Sequence, residues 1–184
     1  VIGMEKLIVL GAKRIWVLGW CGSLQADLQV GHVLVPISAV SEEGTSGHYP
    51  ISGHPLASNG GLNLLLEEAL KNQGLPFSKG AVWTTDAIYR ETPEKVKTYQ
   101  DLGVLAVEME MSALMTVAIY RSVAVAGLLV VSDELSHLHW RPGFSRPLLE
   151  KNTRAAGKVL IQLSGSVERS NFHDAETRCG FYES

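Results

Sequence analysis

Residues 123–133 have the sequence VAVAGLLVVSD, in which an unbroken apolar run from Val123 to Val131 ends in Ser132 and Asp133. A continuous run of β-branched and aliphatic residues is typical of a central strand that is buried on both faces. Such strands belong to sheets that helices cover on either side. The run therefore predicts an α/β protein in which two polar side chains stand where a central strand leaves the core.

Strand and helix patterns alternate along the rest of the chain. Strands are expected at 14–18, 33–40, 81–85, 104–108 and 123–131, and helices near 2–10, 62–73, from 92 onward, 109–120 and 145–163. Residues 33–40 form either two strands or one strand bent at Pro36, because proline cannot donate a ladder hydrogen bond. Alternation of this kind predicts a mixed, largely parallel sheet flanked by helices.

Length and composition point to one main domain. The 184 residues correspond to little more than one domain, at roughly 150 residues for each. The chain is 46% hydrophobic and 19% charged, as packed domains are, and its net charge of −3 offers no basic surplus for nucleic acid. We expect an α/β domain over 1–165, followed by a polar, flexible tail over 166–184.

The sequence also indicates a compartment. Two cysteines, Cys21 and Cys179, are too few for a disulfide framework, and the longest apolar run is about half the length of a membrane helix. A cytoplasmic protein without a membrane partner is expected. The chain begins at Val1 inside a helical pattern rather than at Met, so we expect further residues to precede Val1 in the natural protein.

Two carboxylates flank Met109 at the junction between a predicted strand and an apolar helix. An unpaired ionised group at such a place costs several kcal/mol, so Glu108 and Glu110 need partners. One interpretation makes both of them acids at a helix N-terminus, stabilised by the helix dipole. The other is that one carboxylate accepts hydrogen bonds from adjacent hydroxyls of a polyol ligand.

Asp133 ends the most apolar strand of the chain. A carboxyl group that burial keeps protonated can act as a general acid near neutral pH, and the alternative is a loop aspartate that caps the next turn. Gly19-x-x-Gly22 lets backbone amides approach a ligand, but it lacks the pattern of a dinucleotide fingerprint and the lysine of a P-loop. We interpret residues 19–22 as a glycine turn.

Two other patterns carry less chemistry. His137-x-His139 has no third ligand at a suitable spacing, so no metal site is expected. Cys21 is either a nucleophile, which would need a histidine nearby in space, or a small buried thiol.

Taken together, five segments resemble the nucleoside phosphorylase/nucleosidase family, which includes purine nucleoside phosphorylases and uridine phosphorylases. They are GWCGS at 19–23, VGHVLVP at 30–36, TTDAIY at 84–89, AVEME at 106–110 and VSD at 131–133. The resemblance runs in order from about residue 2 to residue 164. Its most specific part is Val-Glu-Met-Glu followed some twenty residues later by Ser-Asp.

This resemblance implies an enzyme that cleaves the N-glycosidic bond of a nucleoside, needs no cofactor and uses phosphate as co-substrate. It implies that Asp133 protonates a leaving purine at N7, that Glu110 holds the ribose hydroxyls and that Met109 packs on the sugar. Other positions that it places in the nucleoside pocket are Cys21, Gly22, Ile88, Val107, Glu108 and Ser132. The partners implied are a small-molecule nucleoside and further copies of the chain, in a dimer, trimer or hexamer.

Some positions depart from the family pattern. Thr92 and Glu94 stand where uridine-type members carry Gln and Arg, which favours a purine. No phosphate-binding residue is identified, because Val17 and Trp20 replace the usual Arg and Ser or Thr, and the family's first strands with their phosphate loop are missing. The chain is therefore expected to be part of a phosphorylase, a phosphate-independent nucleosidase or an inactive nucleoside-binding module.

Overall fold

The computed structural model describes residues 1–51 and 53–179, with side chains as far as residue 165. The strands are β1 Arg14–Ser23, β2 Val33–Glu42, β3 Phe77–Thr85, β4 Ala106–Glu108, β5 Ala124–Glu134 and β6 Arg141–Pro142. The α-helices are α1 Ile2–Val9, α2 Gly60–Asn72, α3 Pro93–Asp101, α4 Met111–Arg121 and α5 Pro147–Cys179. Single 3₁₀ turns lie at Ser46–His48 and Ile88–Arg90.

The first five strands form a ring in the order β1-β4-β3-β2-β5, because β5 also pairs with β1. The long pairings β1–β5 and β2–β3, and the pairing β3–β4, are parallel, whereas β2–β5 and β1–β4 are antiparallel and short. The ring closes at the pairs Gly22–Val107 and Ser23–Ala106, which we call the seam. The predicted class, a mixed and largely parallel sheet flanked by helices, is confirmed, and the closure of the sheet is an additional finding.

Strand β5 lies between two apolar clusters, as its sequence predicts. Val125, Leu129 and Val131 join a cluster that contains Met111 and Met115 of α4. Ala126, Leu128 and Val130 face a second cluster that α2 and α5 complete. Because each Val or Leu side chain contributes about 1.5–3 kcal/mol when fully buried, β5 is central to the stability of the domain.

Two strand predictions needed the structure to settle them. Residues 19–22 are not a turn: β1 continues to Ser23, with a bulge between Cys21 and Gly22. The reason is that β5, which is one residue longer than β1, keeps pairing with it up to Glu134. The alternatives at Pro36 resolve to one strand, because β2 runs through it with an irregular register between Pro36 and Ser38.

The helix ends follow the sequence in most places. The side chain of Asn59 accepts a hydrogen bond from the Leu62 amide and caps α2, and Thr92 caps α3 in front of Pro93. The prediction that the last helix ends near Leu163 is wrong. Helix α5 continues to Cys179, over a segment that contains no proline. The flexible tail stays a prediction, and its last residues, 180–184, lie outside the described part of the chain.

Candidate active site

A cleft of about 620 Å³ opens at the ends of β1, β4 and β5. Ligands of α/β proteins bind at the carboxyl ends of parallel strands, and β1 and β5 end here. All nine residues that the sequence analysis assigned to a ligand site line this cleft: Cys21, Gly22, Ile88, Val107, Glu108, Met109, Glu110, Ser132 and Asp133. Its other lining residues are Trp20, Tyr89, Glu91, Leu135, Trp140 and Phe144.

Both oxygens of Asp133 accept hydrogen bonds. The hydroxyl of Ser132 donates to Oδ1 at 2.7 Å, and the indole Nε1 of Trp140 donates to Oδ2 at 2.9 Å. Asp133 lies inside β5 and pairs with Gly22 and Pro142, so it does not cap a turn as the alternative interpretation had it. Its carboxylate is held at the cleft wall by side chains rather than by backbone amides.

Gly22 makes room for this carboxylate. A Cβ atom at Gly22 would lie 2.9 Å from Oδ2 of Asp133 and 2.7 Å from Cδ1 of Leu135. The glycine therefore allows β1 to approach the acid closely. Its neighbour Cys21 is buried, and burial, followed by the charges of Asp133 and Glu108, raises the pKa of the thiol. A thiol that stays protonated is a poor nucleophile, which favours the interpretation of Cys21 as a structural residue.

Glu108 behaves as a helix N-terminal acid. Its Oε2 accepts hydrogen bonds from the amides of Glu110 and Met111, each at 2.7 Å, and its Oε1 accepts one from the hydroxyl of Thr84. Burial raises the pKa of Glu108 even though these hydrogen bonds act in the opposite direction. The carboxylate thus satisfies the first amides of α4 and anchors the strand-to-helix turn.

Glu110 differs from Glu108 in having an exposed carboxylate. Within the described part of the chain, no hydrogen bond engages its side-chain oxygens. Met109, between the two acids, is 42% exposed and also lines the cleft. Of the two interpretations of this acidic pair, N-terminal acid fits Glu108, and Glu110 remains free for the hydroxyls of a ligand.

Sequence reasoning missed Glu91. It follows the 3₁₀ turn Ile88–Arg90, is half-buried and lines the cleft. Burial, with a further contribution from the charge of Asp133, raises its pKa to about 7. The polar segment in which it lies gives no periodic signal, and only its place between Ile88 and the capping Thr92 could have drawn attention to it. Thr92 and Glu94, which the sequence analysis compared with uridine-type residues, do not line the cleft.

An aromatic group covers one side of the cleft. The ring of Phe144 lies 6.2 Å from that of Trp20 and 6.3 Å from that of Trp140, measured between centroids. The loop that carries Phe144 is fixed by the hydrogen bond from the amide of Gly143 to the carbonyl of Ser132 at 2.9 Å. The sequence did not reveal this group, because the pairing of β5 with β1 and with β6 brings its members together.

The cleft is acidic. It contains the four carboxylates of Glu91, Glu108, Glu110 and Asp133, and among the described residues that line it there is no Lys, Arg or His. Of the two positions where the family pattern has phosphate ligands, Val17 packs against the core, whereas Trp20 lines the cleft and donates to Thr153 at 3.0 Å.

Neither a metal centre nor a membrane-spanning segment is found within the described ranges. His137 and His139 are exposed, and no group of three or more His, Cys, Asp or Glu side chains is placed to hold a metal ion. None of the described helices is both long enough and apolar enough to span a bilayer.

The closed α/β sheet thus carries a cleft that both Asp133, at the end of β5, and the exposed Glu110 line. The family model described as "Phosphorylase superfamily" matches residues 2–163. The chain belongs to this family. The resemblance stated from the sequence is confirmed, and with it, at the level of the family, a nucleoside phosphorylase-like enzyme of the pentosyltransferase type.

Individual relatives agree with this assignment. The chain is 35% identical to the DeoD-type purine nucleoside phosphorylases of Bacillus cytotoxicus and Bacillus cereus over 167 residues, which are 90% of this chain and 68% of theirs. It is similar to the crystal structure of purine nucleoside phosphorylase from Toxoplasma gondii in complex with immucillin-H, with a TM-score of 0.83, 26% identity and coverage of 92% and 69%. For uridine phosphorylase from Vibrio fischeri the TM-score is 0.77, with 27% identity and coverage of 86% and 66%.

Proposed function

We propose that the protein cleaves the N-glycosidic bond of purine nucleosides, with Asp133 as the general acid and Glu110 as the ligand of the ribose hydroxyls. The observation that carries the proposal is that these two carboxylates, from segments that also carry the family resemblance, line one cleft. The similarity to purine nucleoside phosphorylases supports a purine rather than a pyrimidine.

The chemistry requires two different carboxylates. As the bond between C1′ and N9 breaks, its electron pair moves to the purine and the sugar becomes oxocarbenium-like. A proton delivered from Asp133 to N7 neutralises the leaving base, while Glu110 accepts hydrogen bonds from the ribose hydroxyls and its negative charge favours the developing cation. Met109, which lines the same cleft, packs on the sugar. An oxygen of phosphate then bonds to C1′, or an oxygen of water does so and releases a proton to solvent.

Phosphate is the proposed acceptor by analogy with the relatives, and water is the second candidate. The specific observation in favour of water is the acidic lining of the cleft, which has four carboxyl groups and, among the described residues that line it, no cationic side chain. A phosphate dianion would be repelled there unless cationic groups from elsewhere reach it. Trp20 also fills space where the family pattern has a phosphate-binding hydroxyl.

The experiment that tests the proposal measures release of base from inosine, adenosine and uridine, with and without phosphate. Release of hypoxanthine or adenine that needs phosphate and yields ribose 1-phosphate supports phosphorolysis, and phosphate-independent release of free ribose supports hydrolysis. Tight nucleoside binding without release of base from any substrate would contradict the enzymatic proposal and leave a nucleoside-binding module.

A homo-oligomer and a cytoplasmic location belong to the same proposal. Oligomerisation is supported by apolar side chains that α1 exposes, since Ile2, Val9 and Leu10 are between 75% and 85% exposed. The buried free thiol of Cys21 is compatible with a reducing compartment. Light scattering on the purified protein distinguishes a monomer from a dimer, trimer or hexamer.

A further inference from the structure

Hydrogen bonds fix the backbone around Glu91 at the wall of the cleft. Its amide donates to the carbonyl of Ile88 at 3.3 Å, and the preceding amide, that of Arg90, donates to the carbonyl of Ala87 at 2.7 Å. Directly after it, Thr92 caps α3 and accepts a hydrogen bond from the amide of Val96 at its carbonyl. These hydrogen bonds fix the backbone on both sides of Glu91, whose side chain lines the cleft.

The carboxyl group of Glu91 has no polar partner within the described part of the chain. The titratable groups that face the cleft with it are those of Cys21 from β1, Tyr89 from the 3₁₀ turn, Glu108 and Glu110 at the start of α4, and Asp133 from β5. None of these is cationic, so nothing among them stabilises the ionised form of Glu91. A half-buried carboxyl group that lacks a hydrogen-bond partner is available to hydrogen bond a ligand in the cleft.

We infer that Glu91 is a specificity-determining residue that hydrogen bonds the substituent at position 6 of the purine. The inference rests on the proposed function, in which Asp133 addresses N7. N7 and the 6-substituent lie side by side on one edge of a purine, and Glu91 is close enough to Asp133 for the two charges to interact. One carboxyl group would thus contact each of two adjacent positions on the base.

The protonation state of Glu91 decides which purine fits. A neutral carboxylic acid donates its O–H to a 6-oxo group, whereas a carboxylate only accepts and therefore suits a 6-amino group. Because the pKa of Glu91 is raised to about 7, the acid form prevails at pH 6 and the carboxylate at pH 8. The preference for 6-oxopurine over 6-aminopurine nucleosides should fall as pH rises, by at most about tenfold per pH unit.

The test compares kcat/KM for inosine and for adenosine at pH 6 and pH 8. The ratio of the two constants cancels any effect of pH that acts on both substrates alike. In the wild type, the ratio of kcat/KM for inosine to kcat/KM for adenosine should fall at least about tenfold between pH 6 and pH 8. This is less than the limit of about tenfold per pH unit that one proton allows. In Glu91→Gln both nucleosides should be cleaved with a ratio that no longer depends on pH, because an amide donates and accepts at either pH.

Glu94→Gln is the matched control. It removes the same charge from an exposed position in the first turn of α3, outside the cleft, and should leave the wild-type dependence unchanged. A ratio independent of pH in the wild type, or one that keeps its dependence in Glu91→Gln, would overturn the inference.

Failure of the proposed function gives a different result. If neither nucleoside is cleaved at any pH, the enzymatic proposal fails, and binding of hypoxanthine and adenine measured by calorimetry at pH 6 and pH 8 still decides the role of Glu91. Opposite pH trends for the two bases that disappear in Glu91→Gln support the inference. Parallel trends, or no binding of either base, overturn it.

Discussion

The indole nitrogen of Trp140 donates a hydrogen bond to Oδ2 of Asp133 at 2.9 Å. This contact joins the exposed aromatic group to the side chain that we propose as the acid. The other oxygen is already engaged by Ser132. A purine that takes its proton from Oδ2 of Asp133 therefore competes with Trp140 for that oxygen.

Trp140→Phe should raise kcat for a purine nucleoside about fivefold with little change in KM, because Asp133 acts mainly in the transition state. The factor is the equivalent of one ordinary hydrogen bond of about 1 kcal/mol. Phenylalanine keeps an aromatic ring near Phe144 but cannot donate to Oδ2. Steady-state kinetics with inosine provide the measurement. A higher KM with unchanged kcat would instead mean that the indole contacts the substrate.

Asp133→Asn should reduce base release by at least about a hundredfold while leaving nucleoside binding largely intact, because a positioned acid acts mainly in the transition state. Single-turnover kinetics and calorimetry separate the two effects. Asparagine has the size of aspartate and still accepts a hydrogen bond from Ser132 or Trp140, so folding should be preserved. Full activity in this variant would remove Asp133 from the mechanism.

Glu108→Ala and Glu110→Ala should have opposite consequences. Loss of the Glu108 carboxylate leaves two amides and the Thr84 hydroxyl without their hydrogen-bond acceptor. The free energy of unfolding should therefore fall by about 3 kcal/mol or more. Loss of the Glu110 carboxylate should change stability by less than about 0.5 kcal/mol but weaken binding of nucleosides more than that of free bases. Urea unfolding and calorimetry on both variants provide the measurements. Equal weakening of nucleoside and base by Glu110→Ala would contradict its role as the ribose ligand.

Glu43→Gln tests a structural carboxylate outside the cleft. The side chain of Glu43 links the loop after β2 to α4 through a hydrogen bond from Ser112. Burial opposes its ionisation, but hydrogen bonds from Ser46, Ser41 and Ser112 outweigh burial and lower the pKa of Glu43 to about 2. A carboxyl group with a lowered pKa stabilises the folded state above its ordinary pKa of 4.5, and this contribution is lost as pH falls towards 2.

The variant should therefore be less stable than the wild type at pH 7, and the difference should shrink steadily between pH 4.5 and pH 2. Urea unfolding at several pH values provides the measurement. Glu68→Gln, on the exposed face of α2, is the control. A difference between Glu43→Gln and the wild type that is the same at pH 7 and pH 3 would contradict the prediction.

Local patterns were enough to predict the central strand and the acids of the cleft, whereas Ile88 and Val107 were identified only through the resemblance to the family. The apolar run of β5 can be buried on both faces only in a covered sheet, and polar residues at the ends of such strands meet at one edge. This is why Glu108, Glu110 and Asp133 were found although more than twenty residues separate the last two.

Contacts that depend on distant partners were not predictable in the same way. Residues 19–22 look like a turn by composition, but the length of β5 extends the ladder through them. Glu91 is brought to the cleft by a 3₁₀ turn, and Trp140 by the two-residue strand β6, neither of which has a periodic pattern. The sequence also could not show which of Glu108 and Glu110 lacks a hydrogen-bond partner, because this depends on which carboxylate accepts from the amides at the start of α4.

The seam between β1 and β4 is a place where the sheet can unfold locally. Within the described residues, the pairs Gly22–Val107 and Ser23–Ala106 and a hydrogen bond from the Leu24 amide to the Leu105 carbonyl close the ring there, whereas β1 and β5 are paired over their whole length. A few backbone hydrogen bonds of about 1 kcal/mol each hold such a junction, so it can open without global unfolding. Gly22 and Val107 also line the cleft. Heating should therefore abolish ligand binding before it melts the core, and hydrogen exchange at the amides of the seam would reveal the opening.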